Sequence, residues 1–189
     1  MYLRSGPLAL SVAHVASHTG RPAGAKFPYA TDDAESVAAK NLLVKALSAA
    51  GFDPQPVATT IEKFFTQFRK NPDADINLRS SSWCFDWPSG STLFPGQFHS
   101  TDIATSGFGQ NLAAFSVRQV DERIDAIPRL LLTQQPQAWN ALDREIQTKY
   151  FPVVVTGYGG VAMVRGSQVH NVRDDTGFGM PTWKDIWIG

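Results

Sequence analysis

The sequence predicts an α/β fold in which a mostly parallel sheet is flanked by helices, and three observations predict it. From residue 26 to residue 83, segments with strand and helix patterns alternate in the order strand, helix, strand, helix, strand, which a parallel sheet with crossover helices produces. The helical segments open at capping residues and close at Gly or Asn-Pro. The chain has 189 residues, 43% of them hydrophobic, enough to bury a core.

Residues 1–25 are rich in Gly, Pro, Ser and His without a sustained period and read as a loose leader, with 8–16 as a short helix candidate. Residues 26–30 (KFPYA) are a strand candidate. Thr31-Asp32-Asp33 then supplies a helix N-cap, with carboxylates at the positive end of the helix dipole. The helix is expected to run to about Ala50 and stop at Gly51. Ala39, Leu42, Leu43, Ala46 and Ala50 form its expected apolar face, opposite Lys40, Asn41, Lys45 and Ser48.

A strand around 56–58 follows. Thr59-Thr60-Ile61-Glu62 is a capping box opening a second helix, with Ile61, Phe64, Phe65 and Phe68 on one face and Asn71-Pro72 at its end. Residues 76–83 alternate well enough to predict a third strand, running into the aromatic loop WCFDWPSG at 83–90.

After a polar stretch from 99 to 110, Val120, Ile124, Ile127 and Leu131 mark a helix that Pro128 should kink. Another, with Pro136 near its start, places Trp139, Leu142 and Ile146 on one face and spaces Glu145 to pair with Lys149. PVVVT at 152–156 and VAMV at 161–164 are strand-like and could pair as a hairpin across Gly157-Tyr158-Gly159-Gly160. Residues 177–189 are aromatic and glycine-rich without a period. No internal repeat or low-complexity run is present.

Composition narrows the function classes. Seventeen basic residues balance 17 acidic ones, so no global field draws nucleic acid or an anionic membrane. Cys84 is the one cysteine, which excludes an internal disulfide and a thiolate cluster, and its expected state is free and structural. His14 and His18 have the i, i+4 spacing of metal ligands but no third ligand beside them, so no metal is expected. The glycines at 157–160 lack the following Lys-Ser/Thr of a phosphate loop. No segment approaches the roughly 18 to 20 apolar residues of a bilayer span, and the N-terminal apolar stretch is too interrupted to read as a convincing export signal.

Four motifs, in order, carry a resemblance to a known family. They are FPYATDD at 27–33 with its Ala-rich helix and AGFDPQPVATT at 50–60; WCFDWPSG at 83–90; NLAAFSVRQVDERI at 111–124; and Trp139-x-x-Leu142-Asp143, followed by Pro152-Val153-Val154 and Arg165-Gly166-Ser167. From residue 27 onward the sequence resembles the C-terminal region of family 5 extracellular solute-binding proteins, which capture oligopeptides, dipeptides or nickel for ABC importers. The resemblance implies a periplasmic-binding-protein-like lobe over 26–151 and a crossover or return segment over 152–189 that would pack on an N-terminal lobe. Val155-Thr156 replaces the Pro-Leu that usually closes the family's return motif, and the partner that some relatives have for a cysteine at the Cys84 position is absent. With no large N-terminal lobe or lipoprotein signal in the sequence, the chain is expected to be a truncated form or a fragment.

A short peptide offers an ammonium terminus and backbone amides, so a sequence-tolerant binder anchors those constant groups by charge and hydrogen bonds. By resemblance, Asp86 would receive the ligand's α-amino group, with Trp83, Phe85 and Trp87 as dry walls around the pair. Read by spacing alone, Asp86 is more often a solvated turn carboxylate before Trp87-Pro88, and the aromatics are more often core or hinge packing. Ser89, with Ser91 and Thr92, can donate to ligand carbonyls or serve the turn. Asn111 can touch ligand or cap a turn.

The expected function is therefore capture of peptides or similar amine-bearing solutes for an ABC importer. The peptide and the permease would be partners, the location periplasmic or cell-surface, and no cofactor or catalysis is required. Because such binders close two lobes around the ligand, this chain is expected to be incomplete for binding alone. The alternative is a truncated remnant or a protein-docking scaffold without transport activity. An enzyme ranks third, since no Ser/His/Asp, Cys/His or metal constellation is present.

Overall fold

In a computed structural model of the chain, the residues described are 23–69, 71, 73–80, 83, 86–103, 109–157, 164–175 and 180–189. The expected leader helix at 8–16, His14, His18, Cys84, Phe85 and most of the expected 152–164 hairpin's turn and second strand lie outside them. The chain divides into two compact units, Met1–Ser80 and Ser81–Gly189.

In the first unit, strand β1 (Gly24–Ala30) pairs in parallel with β2 (Asp53–Thr59), Gly24 opposite Asp53 and Ala30 opposite Thr59. A parallel pair needs a crossover, and helix α1 (Ala34–Ala49) supplies it. Asp33 is the N-cap, its carboxylate accepting the Ser36 N–H at 2.9 Å. At the far end Gly51 takes φ +84°, and the Phe52 and Gly51 N–H groups close back on the Leu47 and Ser48 carbonyls, each at 3.0 Å.

The expected face of α1 is met in part: Leu43, Ala46 and Ala50 are half-buried and Asn41, Lys45 and Ser48 are exposed, but Ala39, Lys40 and Leu42 depart from it. Val37, Lys40, Leu43, Val44 and Leu47 are half-buried, whereas Ala39 is exposed and Leu42 is 71% exposed. The helix is apolar on more than one side, so the pattern alone did not select the inward face. Lys40 is half-buried, with its ammonium over the Tyr29 ring, 5.2 Å from the centroid.

Helix α2 (Ile61–Lys63) passes into a π-helical turn, Phe64–Phe68. Its cap is Thr60, whose hydroxyl accepts the Lys63 N–H at 3.3 Å, one residue later than the expected box at Thr59, which ends β2. Ile61 and Phe65 of the expected apolar face are exposed.

The third strand expected over 76–83 is not formed in the described residues 76–80. Asn77 takes its place at the outer edge of β1: its Oδ1 accepts the Lys26 N–H at 2.7 Å and its Nδ2 donates to the Gly24 carbonyl at 2.8 Å. The backbone N–H groups of Asn77 and Leu78 both donate to the Lys26 carbonyl at 3.0 Å. A side chain thus supplies contacts that a strand's backbone would have made.

The second unit is mainly helical. A 3₁₀ turn (Gly90–Thr92) precedes α3 (Phe94–Phe98), and α4 (Arg118–Ala126) and α5 (Gln135–Glu145) follow. Their shared core contains Phe94, Phe98, Phe115, Val120, Ile124, Ile127, Trp139, Leu142 and Ile146. Trp139, Leu142 and Ile146 are buried as the helical spacing predicted, and Lys149 pairs with Glu145 at 3.6 Å. Pro128 does more than kink: α4 ends at Ala126, a 3₁₀ turn (Ile127–Arg129) follows, and Leu131 is exposed rather than on the apolar face.

Residues 152–156 form no strand, and Val154 and Val155 are exposed. Pro152 lacks an N–H, and no strand among the described residues pairs with this segment. The aperiodic tail instead contains two short antiparallel pairs, β3 (Val169–His170) with β6 (Trp187–Ile188) and β4 (Asp174–Asp175) with β5 (Met180–Pro181).

Candidate functional site

The loop flagged by sequence is built from the helix end upward. Ser89 is the N-cap of the 3₁₀ turn: its hydroxyl accepts the Ser91 N–H at 3.2 Å, and its carbonyl accepts the Thr92 hydroxyl at 3.1 Å. The Ser91 hydroxyl lies 3.0 Å from that of Ser89. Trp87 donates its indole N–H to Ser91 Oγ at 3.3 Å, and Trp83 donates its own to the Thr92 carbonyl at 3.0 Å. Both indoles are therefore tied by their polar edges to one turn, although Trp83 is 41% and Trp87 55% exposed.

The turn is seated on the core through Gly90. A Cβ there would lie 2.6 Å from Cγ and 2.7 Å from Cδ2 of Trp139, so only a glycine lets the backbone lie on that indole. Trp139 stacks in turn on Phe94, with centroids 5.1 Å apart and planes at 14°. Trp83, Trp87 and Ser89 are thus held as a group, and Asp86 lies between the two tryptophans in the chain. The Gly90–Trp139 seat was missed by sequence reasoning. Its only local trace was Pro88-Ser89-Gly90, a common turn pattern.

One expectation is corrected. Asp86 is exposed, not enclosed in a dry aromatic niche. The two described indoles commit their N–H groups to the turn. Asn111 is 1% exposed. Its Nδ2 donates to the His99 and Phe115 carbonyls at 3.1 and 2.8 Å, and its Oδ1 accepts the Phe115 N–H at 3.0 Å. Both amide hydrogens are used, so Asn111 has the turn-holding role and braces the 99–115 connection.

That connection has further supports. Asp121 accepts the Ser100 N–H at 3.0 Å and its hydroxyl at 2.6 Å, and Asp102 accepts the Gln110 N–H at 3.0 Å. His99 receives the Thr101 N–H on Nδ1 at 3.1 Å and places Nε2 3.6 Å from Asp125. Among the described residues no group of three or more His, Cys, Asp or Glu side chains is placed to hold a metal, and no helix is long and apolar enough to cross a membrane.

No family profile matches the sequence, and no curated protein does. Solved structures are similar. Clavulanic acid biosynthesis oligopeptide binding protein 2 superposes with TM-score 0.69 and 16% identity, over 89% of this chain and 31% of its own. NikZ from Campylobacter jejuni, solved in complex with Ni(L-His), superposes with TM-score 0.52 and 14% identity, over 65% of this chain and 24% of its own. The chain therefore spans less than a third of the length of either structure. The likeness establishes the fold, a periplasmic-binding-protein-like α/β lobe with a parallel sheet and helices, in agreement with the fold class predicted from sequence.

Proposed function

We propose that this chain forms part of a solute-binding protein that captures peptides or similar amine-bearing solutes for an ABC importer. The observation that carries the reading is the shared fold over 89% of the chain with an oligopeptide binding protein. In this reading residues 26–151 belong to the ligand-binding lobe, and 152–189 form the return segment toward another lobe. The full protein works at the cell surface or in the periplasm and delivers its cargo to a permease.

Asp86 is the proposed anchor for the ligand ammonium, with Trp83, Phe85 and Trp87 as walls and Ser89 on the turn that carries them. Exposure of Asp86 fits a half-site. An opposing lobe would exclude water from the carboxylate and strengthen its attraction for an amine, since the effective dielectric falls on closure. The role requires no bond making or breaking, so no catalytic residue is assigned. Calorimetry with trialanine tests the proposal's incompleteness claim: the isolated chain should show very weak affinity or none, and a micromolar or tighter affinity would contradict it.

A second reading, a protein-docking scaffold or remnant without transport activity, is favoured by the exposed apolar side chains Leu131, Leu132, Trp183 and Ile188. It predicts self-association and binding of an apolar dye. A clean monomer without dye binding in light scattering would remove that reading.

A further inference from the structure

The two-stranded sheet of the first unit carries an inference independent of the proposed function. In a strand, the N–H and C=O of one residue point to the same side and those of the next residue to the other. The Asp53 N–H donates to the Ala23 carbonyl and the Thr31 N–H to the Thr59 carbonyl, at 3.0 and 2.9 Å. With the register of β1 on β2, this sets the odd-numbered residues of both strands inward, toward the partner strand. Gly24, Lys26, Pro28 and Ala30 then face outward on one edge, and Pro54, Pro56 and Ala58 on the other.

All three prolines of the sheet therefore occupy outward positions, where they remove donors from the edges without costing a bond between β1 and β2. On the β2 edge Pro54 and Pro56 leave Ala58 as the one outward residue with an N–H. On the β1 edge the Lys26 N–H is taken by Asn77 Oδ1, the Ala30 N–H by Ser36 Oγ at 2.9 Å, and Pro28 has none. The Gly24 carbonyl is occupied as well, by Asn77 Nδ2.

We infer that this sheet resists strand addition at both edges, through the donors lost at Pro54 and Pro56 along β2 and through Asn77 with Pro28 along β1, so that a second copy of the chain pairs with it poorly. An open parallel edge is a template for pairing with another chain, and β2 is largely exposed to solvent.

The test is the variant P54T/P56T, which restores two outward donors with residues suited to strands and adds no large apolar surface. Sedimentation velocity over a concentration series should show the variant self-associating at least about tenfold more tightly than the parent chain. Amides introduced at positions 54 and 56 should exchange hydrogen more slowly as concentration rises. Far-UV circular dichroism checks that the variant folds, and the single variants P54T and P56T, each restoring one donor, should give a smaller gain. Self-association equal to the parent's in all three variants, or exchange at both positions independent of concentration, would overturn the inference.

Discussion

Asn111 shows a buried carboxamide committed to the backbone. Its carboxamide spends both hydrogens and an acceptor on the backbone at His99 and Phe115, and its surroundings are dry. Asn111→Ala should destabilise the chain by about 2 to 4 kcal/mol, because buried backbone groups are left without partners, and a thermal melt reads this directly. Gly90→Ala should cost about 1 to 3 kcal/mol through overpacking against Trp139. It should also shift the fluorescence of the tryptophans tied to the turn, a change that a general loss of stability at temperatures well below the melt would not produce. Asp86 and its aromatic neighbours were legible in the sequence as a cluster. Their exposure was not, because enclosure depends on what surrounds the loop and not on the residues within it.

At the scale of elements, local signals were read well where the backbone itself enforces them. The Asp33 cap, the Gly51 stop and the Trp139, Leu142 and Ile146 stripe all follow from spacing and φ preferences. The readings failed where neighbours decide. The apolar residues of α1 lie on more than one side, and Leu42 is left outside while Lys40 lies over Tyr29. Leu42→Lys should therefore leave stability within about 0.5 kcal/mol of the parent, as expected for a surface position. Residues 76–80 carry a strand's alternation, yet Asn77 satisfies the β1 edge with its side chain instead. Asn77→Ala should accelerate hydrogen exchange of the Lys26 amide by about tenfold and cost about 1 kcal/mol, the usual net value of a hydrogen bond. An unchanged exchange rate would show that the segment does not hold that edge.

The whole molecule was legible as a fold class and in part as a set of motifs. The order strand, helix, strand and the family motifs led to an α/β lobe, and the structural likeness to an oligopeptide binding protein agrees with it. The tail was illegible because its short pairs β3–β6 and β4–β5 involve two residues per strand, too few for a period to register. The exposed Trp83, Asp86 and Trp87 group accounts for the proposed role only if a second surface closes over it. Alone, it presents a carboxylate in water, where attraction for an ammonium is weak.

A heteronuclear NMR titration of the chain with trialanine and with its N-acetylated form tests that claim most directly. Shifts are expected at the Trp83 and Trp87 indole N–H signals, saturating only at concentrations on the order of millimolar, for the free amine alone, and lost in Asp86→Asn. Equal shifts for the acetylated peptide, or shifts that persist in Asp86→Asn, would contradict it.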